Sequence, residues 1–287
     1  MSEPVDRIDH VVNYLGDQLN QAVAGYEALG FKLTPRGHHS VGSSNHLAIF
    51  GTDYLELLGY EPQKAHLAAG QWGSVTGLRG LVFKTDDAQV LADSLHARGI
   101  ATQTPTPQPL SRPVDLPDGT VAEASFRTLH LDPATTPEGR VYFCEHQTPD
   151  LVWTPHWQDQ PNGVTGINAV VIVAADPARA IATVQGLYLT HPAHPIPGGL
   201  RIILQGGAIE YLTPDEAKSR YGTALPTLTG AAAQQVALVL KVKAIARTAE
   251  VLAHSNSPFT RLGNGDLIVP ASAAFGVTLV FTEAEPS

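Results

Sequence analysis

His10 lies in the run Arg-Ile-Asp-His-Val-Val-Asn-Tyr-Leu at 7–15. Its β-branched content predicts a strand, and alternation then puts Ile8, His10, Val12 and Tyr14 on one face. An imidazole among apolar neighbours on an inward face is either a hydrogen-bonded core group or a metal ligand. Glu56 sits between Leu55 and Leu57 in a second apolar run. If it points inward it needs a cation beside it, and period-two alternation equally lets it face solvent. Glu145 and His146 adjoin on a third run, Arg140–His146, and face opposite ways, so only one of them can join the others. Glu145, on the parity of Val141 and Phe143, is the preferred one, with His146 in reserve. His38, His39 and Asn45 fall in a connection between strands, where they read either as acid–base groups or as polar loop residues.

Other chemistries find no support. There is no Gly-x-Ser-x-Gly elbow and no Gly-Lys-Ser/Thr phosphate loop, and Gly263-Asn264-Gly265 lacks the rest of a dinucleotide fingerprint. Cys144 is the single cysteine, so neither an intrachain disulfide nor a Cys-based zinc site is available. Its place in a strand reads as an inert buried thiol. His191 and His194 stand among prolines as loop residues. Trp153 and Trp157 read either as the wall of a pocket or as packing between halves of the chain, the latter preferred.

The chain has 287 residues, 43% of them hydrophobic, and a net charge of −9. That balance supports a buried core and argues against nucleic acid or an anionic membrane as partner. No apolar run is long enough to span a bilayer and the N-terminus carries no secretory pattern, so the expected location is the cytoplasm.

The elements that must position these residues recur. A strand at 7–15 precedes a helix with Leu19, Ala22, Val23, Tyr26 and Leu29 at helical spacing, offered an N-cap by Asp17 and an end at Gly30. Strands follow at Phe31–Thr34, Asn45–Phe50 and Tyr54–Gly59. The βαβββ order repeats from Leu78, with a helix at Ala88–Arg98, a strand at Ile100–Thr102 and a hairpin from Glu123–Leu131 to Arg140–His146. It repeats from Gly166, with Asp176-Pro177 opening a helix, a strand at Leu187–Leu189 and a hairpin from Leu200–Leu204 to Ala208–Leu212. A fourth copy runs from Gln235 through a helix at Ala244–His254 to Leu267–Val269 and Val277–Phe281. Unit starts about 70–90 residues apart predict an α+β chain of four modules, paired into two halves. The expected domains are 1–150 and 163–287, separated by the Pro-rich stretch 148–163. The five-proline segment 103–120 reads as a surface excursion.

Ile8-Asp9-His10-Val11-Val12, Leu29-Gly30-Phe31, Gly37-His38-His39, Gly42, Asn45 and Tyr54-Leu55-Glu56-Leu57 stand in an order that resembles glyoxalase-like domains. These belong to the vicinal oxygen chelate superfamily of glyoxalase I, extradiol dioxygenases and antibiotic-resistance binders. Tyr142–His146 and Thr148–Trp153 resemble the same subfamily's closing segment, so the likeness covers residues 7–153 and is architectural beyond. The resemblance implies that the modules pair into two half-open eight-stranded cups, with a divalent metal (Zn, Mn, Fe, Ni or Co) held in the cup by residues of the first and fourth strands of each module. It assigns His10, Glu56 and Glu145 as ligands, Glu56 or Glu145 as general base, and His39 and Asn45 as substrate-binding groups. Gly80 falls where a fourth ligand is expected and cannot ligate, which weakens an iron ring-cleavage reading. Ala169 replaces His10 in the third module while Glu210 matches Glu56, so the C-terminal half reads as a degenerate duplicate with a structural or dimerising role. The expectation is a bacterial metalloenzyme with isomerase, lyase or dioxygenase chemistry on a small oxygenated molecule. The alternative is a non-catalytic small-molecule binder of the same fold.

Overall fold

The computed structural model describes residues 5–70, 72–73, 75–116, 119–187 and 191–283. In the first half, β1 (Ile8–Gly16), α1 (Leu19–Ala28), β2 (Gly37–His38), β3 (Ser44–Ile49) and β4 (Tyr54–Gly59) form one module. The second module is β5 (Gly77–Lys84), α2 (Ala88–Ala97), β6 (Gln108–Asp115), β7 (Val121–His130) and β8 (Arg140–His146). Their strands make one eight-stranded sheet in the order β2-β3-β4-β1-β5-β8-β7-β6. After the short helix α3 (Pro155–Gln158), the pattern repeats as β9 (Val164–Ala174), α4 (Pro177–Val184), β10 (Ala193–Ile196), β11 (Gly199–Leu204) and β12 (Gly207–Leu212). The chain closes with α5 (Pro214–Tyr221), β13 (Ala233–Val242), α6 (Ile245–His254), β14 (Thr260–Arg261), β15 (Leu267–Val269) and β16 (Thr278–Glu283). The second sheet has the matching order β10-β11-β12-β9-β13-β16-β15-β14. The expected fold is the one observed, and modules one and two pair within the chain through antiparallel β1 and β5.

Each sheet curls so that one strand face lines a cup and the other packs under helices. Val11, Leu15, Leu55, Leu57, Leu81, Phe83, Val141 and Phe143 lie on the helix side, in a core that continues into the second half through Val170, Ile172, Leu238 and Phe281. Tyr26 and Phe31 carry it across, meeting Phe275 and Phe281 at ring-centroid distances of 6.3 Å each. Burial of each such aromatic contributes about 1.5–3 kcal/mol. The Tyr26 hydroxyl donates to Ala274 O at 3.0 Å and accepts from Asn13 Nδ2 at 2.9 Å, so this hydroxyl is paired on both sides within the core. Among the described residues, no helix is long and apolar enough to cross a membrane.

Local expectations fail in identifiable ways. Gln18, not Asp17, occupies the N-cap of α1 and makes no side-chain cap bond. Residues 31–34 form no strand: Thr34 exchanges bonds with Leu47, but Pro35 has no N–H to continue the ladder. Ile100–Thr102 contributes one isolated bridge, Thr102 to Leu131. The predicted strand at Leu187–Leu189 falls partly outside the described residues. Leu187 itself closes a 3₁₀ turn. Segment 103–120 is not a mere excursion, because it holds the edge strand β6. Edge strands tolerate proline, and Pro109 and Pro113 sit there while Leu110, Arg112 and Val114 alternate beneath them.

Asp53 stands where the halves meet. It is buried, and its Oδ1 accepts from Ile167 N at 3.0 Å. Burial pushes its carboxyl up to about 7, against the opposing pull of the Ile167 N–H, Lys84 and Lys241. The folded state therefore holds this proton at pH values where the unfolded chain has lost it, and stability falls as pH rises from about 4 to about 7. Glu138, pushed to about 7 by burial, acts in the same sense. Asp53→Asn keeps the acceptor for Ile167 and removes the ionisation. Urea melts at pH 5 and pH 8 are expected to show a smaller loss for the variant, with a gain of about 1–3 kcal/mol over the parent at pH 8.

Candidate active site in the N-terminal cup

A cavity of about 300 Å³ opens inside the first sheet. Strand parity decides who reaches it. On β1, His10, Val12 and Tyr14 point in, whereas Ile8, expected on the same face, packs in the helix-side core beyond a register shift between Ile8 and His10; on β4, Tyr54, Glu56 and Leu58 point in. On β8, Tyr142 and Cys144 face the cup while Val141 and Phe143 face the helices. Glu145 therefore points to the helix side, a correction to its expected role. Glu145 does share the parity of Val141 and Phe143, but the alternate residues Tyr142 and Cys144 are the ones that look inward.

Glu145 has another task. Its Oε2 accepts from Ala88 N at 2.8 Å at the start of α2, and from Arg127 Nε and Nη2 at 2.9 and 2.6 Å. With Asp87 capping the same helix through Gln89 and Val90, it ties α2 to β7. Glu145→Gln is expected to lower stability by about 1–2 kcal/mol and to leave binding in the cup unchanged. Equal urea midpoints for parent and variant, or a binding defect, would place the carboxylate in the site after all.

His10 is fixed from behind. Nδ1 lies 2.6 Å from Asp9 Oδ1, and because a carboxylate only accepts, the hydrogen sits on Nδ1. Nε2 is thereby presented to the cup, 3.1 Å from the Tyr142 hydroxyl and 3.6 Å from Glu56 Oε2. The ring stacks on Tyr54 with centroids 4.4 Å apart. Glu56 Oε1 accepts from Asn45 Nδ2 at 2.6 Å and stands 3.8 Å from His39 Nε2. Asn45 Nδ2 is also 3.1 Å from His39 Nε2, and Ser43 Oγ meets His39 Nδ1 at 2.8 Å. An Asn oxygen would repel Glu56 at that distance, which sets the amide's orientation. His39 and Asn45 are thus at the site as expected, arranged around Glu56. Burial lowers the His39 pKa, against the attraction of Glu56. It also raises Tyr142 and Tyr54 well above the ordinary phenol value, so both keep their protons.

The register gives the equivalences between modules. Val12 pairs with Glu56 on one side and Gly80 on the other, and Val82 pairs with Tyr142. A half-turn exchanging β1 and β5 takes His10 to Gly80 and Glu56 to Tyr142. A side chain at 80 has no room, since a Cβ there meets Val12 at 2.7 Å and Trp72 at 3.2 Å. The same count in the second sheet puts Ala169, Glu210, Ala237 and Val280 at these four positions. Glu210 is neutralised by Arg220 at 3.2 Å and Arg201 at 3.6 Å, and α5 fills that cup with Ala217 and Tyr221.

His146, the reserve ligand, faces neither Glu56 nor His10. Its Nε2 meets the fully buried Asp9 at 3.0–3.1 Å. Among the described residues, Asp9, Cys144 and His146 are the His/Cys/Asp/Glu group whose ligand atoms lie within 4.8 Å of one another. Lys84 Nζ, 3.6 Å from Asp9 Oδ2, already supplies positive charge there. Three further lining residues escape the sequence reading: Arg112, His130 and Arg140. His130 is held near 3 by burial and by Arg140, whose Nη2 lies 3.0 Å from its Nδ1.

The sequence profile of the glyoxalase-like domain matches residues 8–188. The chain belongs to that family, within the vicinal oxygen chelate superfamily. No curated protein matches it. Among solved structures, a hypothetical protein from Staphylococcus aureus is similar at a TM-score of 0.67 and 12% identity, covering 97% of this chain and 99% of that one. A mutant of 4-hydroxymandelate synthase from Streptomyces coelicolor aligns at 0.55 and 12%, over 99% and 95%. A fusion of a xylose isomerase-like TIM barrel with 4-hydroxyphenylpyruvate dioxygenase aligns at 0.54 and 11%, over 100% of this chain and 50% of the fusion. At these identities the likeness is one of fold.

Proposed function

We propose that the N-terminal cup is the active site of a metal-dependent enzyme acting on a small oxygenated organic molecule. The observation that carries this reading is a fixed imidazole and a carboxylate facing each other inside a cavity, His10 Nε2 and Glu56 Oε2 at 3.6 Å. That separation, and the 3.8 Å from His39 to the other oxygen, are too long for hydrogen bonds. The His10–Glu56 separation suits two donors that share one cation, whose N and O ligands each lie about 2.0–2.2 Å from it, whereas the ligand atoms of His10, Glu56 and His39 do not all lie within 4.8 Å of one another. The Asp9 carboxylate behind His10 is the kind of outer partner that a ligating histidine uses. The donor set therefore fits a divalent ion, with His10 and Glu56 holding it and His39 beside them, and without Glu145. The N/O composition suits Zn²⁺, Mn²⁺ or Fe²⁺.

Such an ion supplies Lewis acidity to the substrate's oxygens. The protein's own groups do the rest. Asp9 keeps the His10 tautomer, and Asn45 holds Glu56 in place. The Tyr142 hydroxyl, protonated at neutral pH, offers a hydrogen bond to a developing oxyanion. His39, unprotonated through burial, can take up a proton, its Nδ1–H anchored on Ser43.

One observation favours a second reading, a binder without turnover: Gly80 and Tyr142 occupy two of the four ligand positions. Metal content separates the two. Protein purified without chelator is expected to carry close to one equivalent of a divalent metal by mass spectrometry and to lose it to EDTA. Protein free of metal that also takes up no Zn²⁺ or Mn²⁺ in dialysis would overturn the enzyme reading in favour of the binder.

A further inference from the structure

Arg112 projects from β6 into the cup and is 7% exposed. Its guanidinium makes no hydrogen bond or ion pair with any of the described residues. Glu56 and Tyr54 attract it without reaching contact distance. A buried guanidinium without a partner is costly, and a fold keeps one where a ligand completes it. Room is made for it: a Cβ on Gly37 would meet Arg112 Cδ at 3.1 Å, its Nη1 at 3.2 Å and Asn45 Oδ1 at 2.5 Å. The strand is pinned in this position, with Ser40 N donating to Ser111 O at 2.9 Å.

We propose that the cup's ligand is a small organic carboxylate whose charged head pairs with Arg112 and whose apolar body packs against Leu110, Phe126, Trp72 and Val152. The inference deepens the reading of this cup as the active site and rests on it. The charges on the lining agree: two guanidiniums, Arg112 and Arg140, face one carboxylate, Glu56. A neutral ligand would leave Arg112 as it stands, whereas a carboxylate gives its planar fork two matched acceptors. The apolar wall, with two aromatic rings, selects an aryl or branched body.

The test is calorimetric titration in EDTA, so that no metal contributes. The probes are arylalkyl carboxylates from benzoate to 4-phenylbutyrate, each against its primary amide. The best acid is expected to bind roughly 10- to 100-fold more tightly than its amide. Arg112→Met should erase that preference without weakening the amide. Empty Arg112→Met protein should melt no lower than the parent, because an uncompensated buried charge has gone, and Arg112→Lys should keep part of the preference. No acid preference in any pair, a preference that survives in Arg112→Met, or a lower melting temperature for that variant would each overturn the proposal. Because metal content is measured separately, its absence would sink the metal reading and leave this one standing.

Discussion

Asp9→Asn is expected to destabilise the protein by about 3–5 kcal/mol at pH 7, the range for breaking a buried charge cluster from one side. Asp9 is fully buried and faces His10, His146 and Lys84 at once. Burial alone would raise its carboxyl pKa, but His146 and His10 outweigh that and hold it far below the ordinary 3.8. A depressed carboxylate stabilises the folded state fully above its unfolded value and loses that contribution only as pH falls below it. The gap between parent and variant in urea melts should therefore be widest at neutral pH and narrow in acid below about pH 4. An asparagine can also turn either its oxygen or its nitrogen to His10, so the tautomer is no longer fixed, and metal affinity should fall about 10- to 100-fold. A variant as stable as the parent at pH 7 would show that Asp9 is not the hub of this cluster.

His10→Ala should behave in the opposite way, keeping the fold and losing the site. Asp9 retains His146 and Lys84, so no buried charge is stranded. The lost packing is the stack on Tyr54 and the contact with Tyr142, which costs about 1–3 kcal/mol. Metal affinity, by contrast, should drop at least about 100-fold, because the single fixed nitrogen donor on the first strand has gone. Metal content and thermal melting of one preparation separate the two effects. Stoichiometric metal in a folded His10→Ala protein would contradict the assignment.

The topology was legible because each module announces itself by a strand and a helix with period 3.6, and the first three also by a glycine stop. His10, Glu56, His39 and Asn45 came from the resemblance to glyoxalase-like domains, since alternation alone left His10 as a core group or a ligand and Glu56 free to face either way. Glu145 was misplaced for a specific reason. Alternation says which residues share a face but not which face is the cup, and Phe143 looks as apolar toward helices as toward a pocket. Arg112 was missed because four prolines within residues 105–113 imitate a loop, although Leu110, Arg112 and Val114 already show period two. The plugging of the second cup by α5 depends on tertiary placement of a polar helix that no local pattern announces.

Whether His10 and Glu56 share a cation in the first cup is read by X-ray absorption on the zinc-loaded protein, because a rival cluster nearby contains a thiol and the cup pair does not. Nitrogen and oxygen scatterers alone are expected, with the spectrum altered by Glu56→Gln and untouched by Cys144→Ala. A sulfur scatterer that disappears in Cys144→Ala would put the metal at Asp9, Cys144 and His146 instead, and would contradict a cation shared by His10 and Glu56.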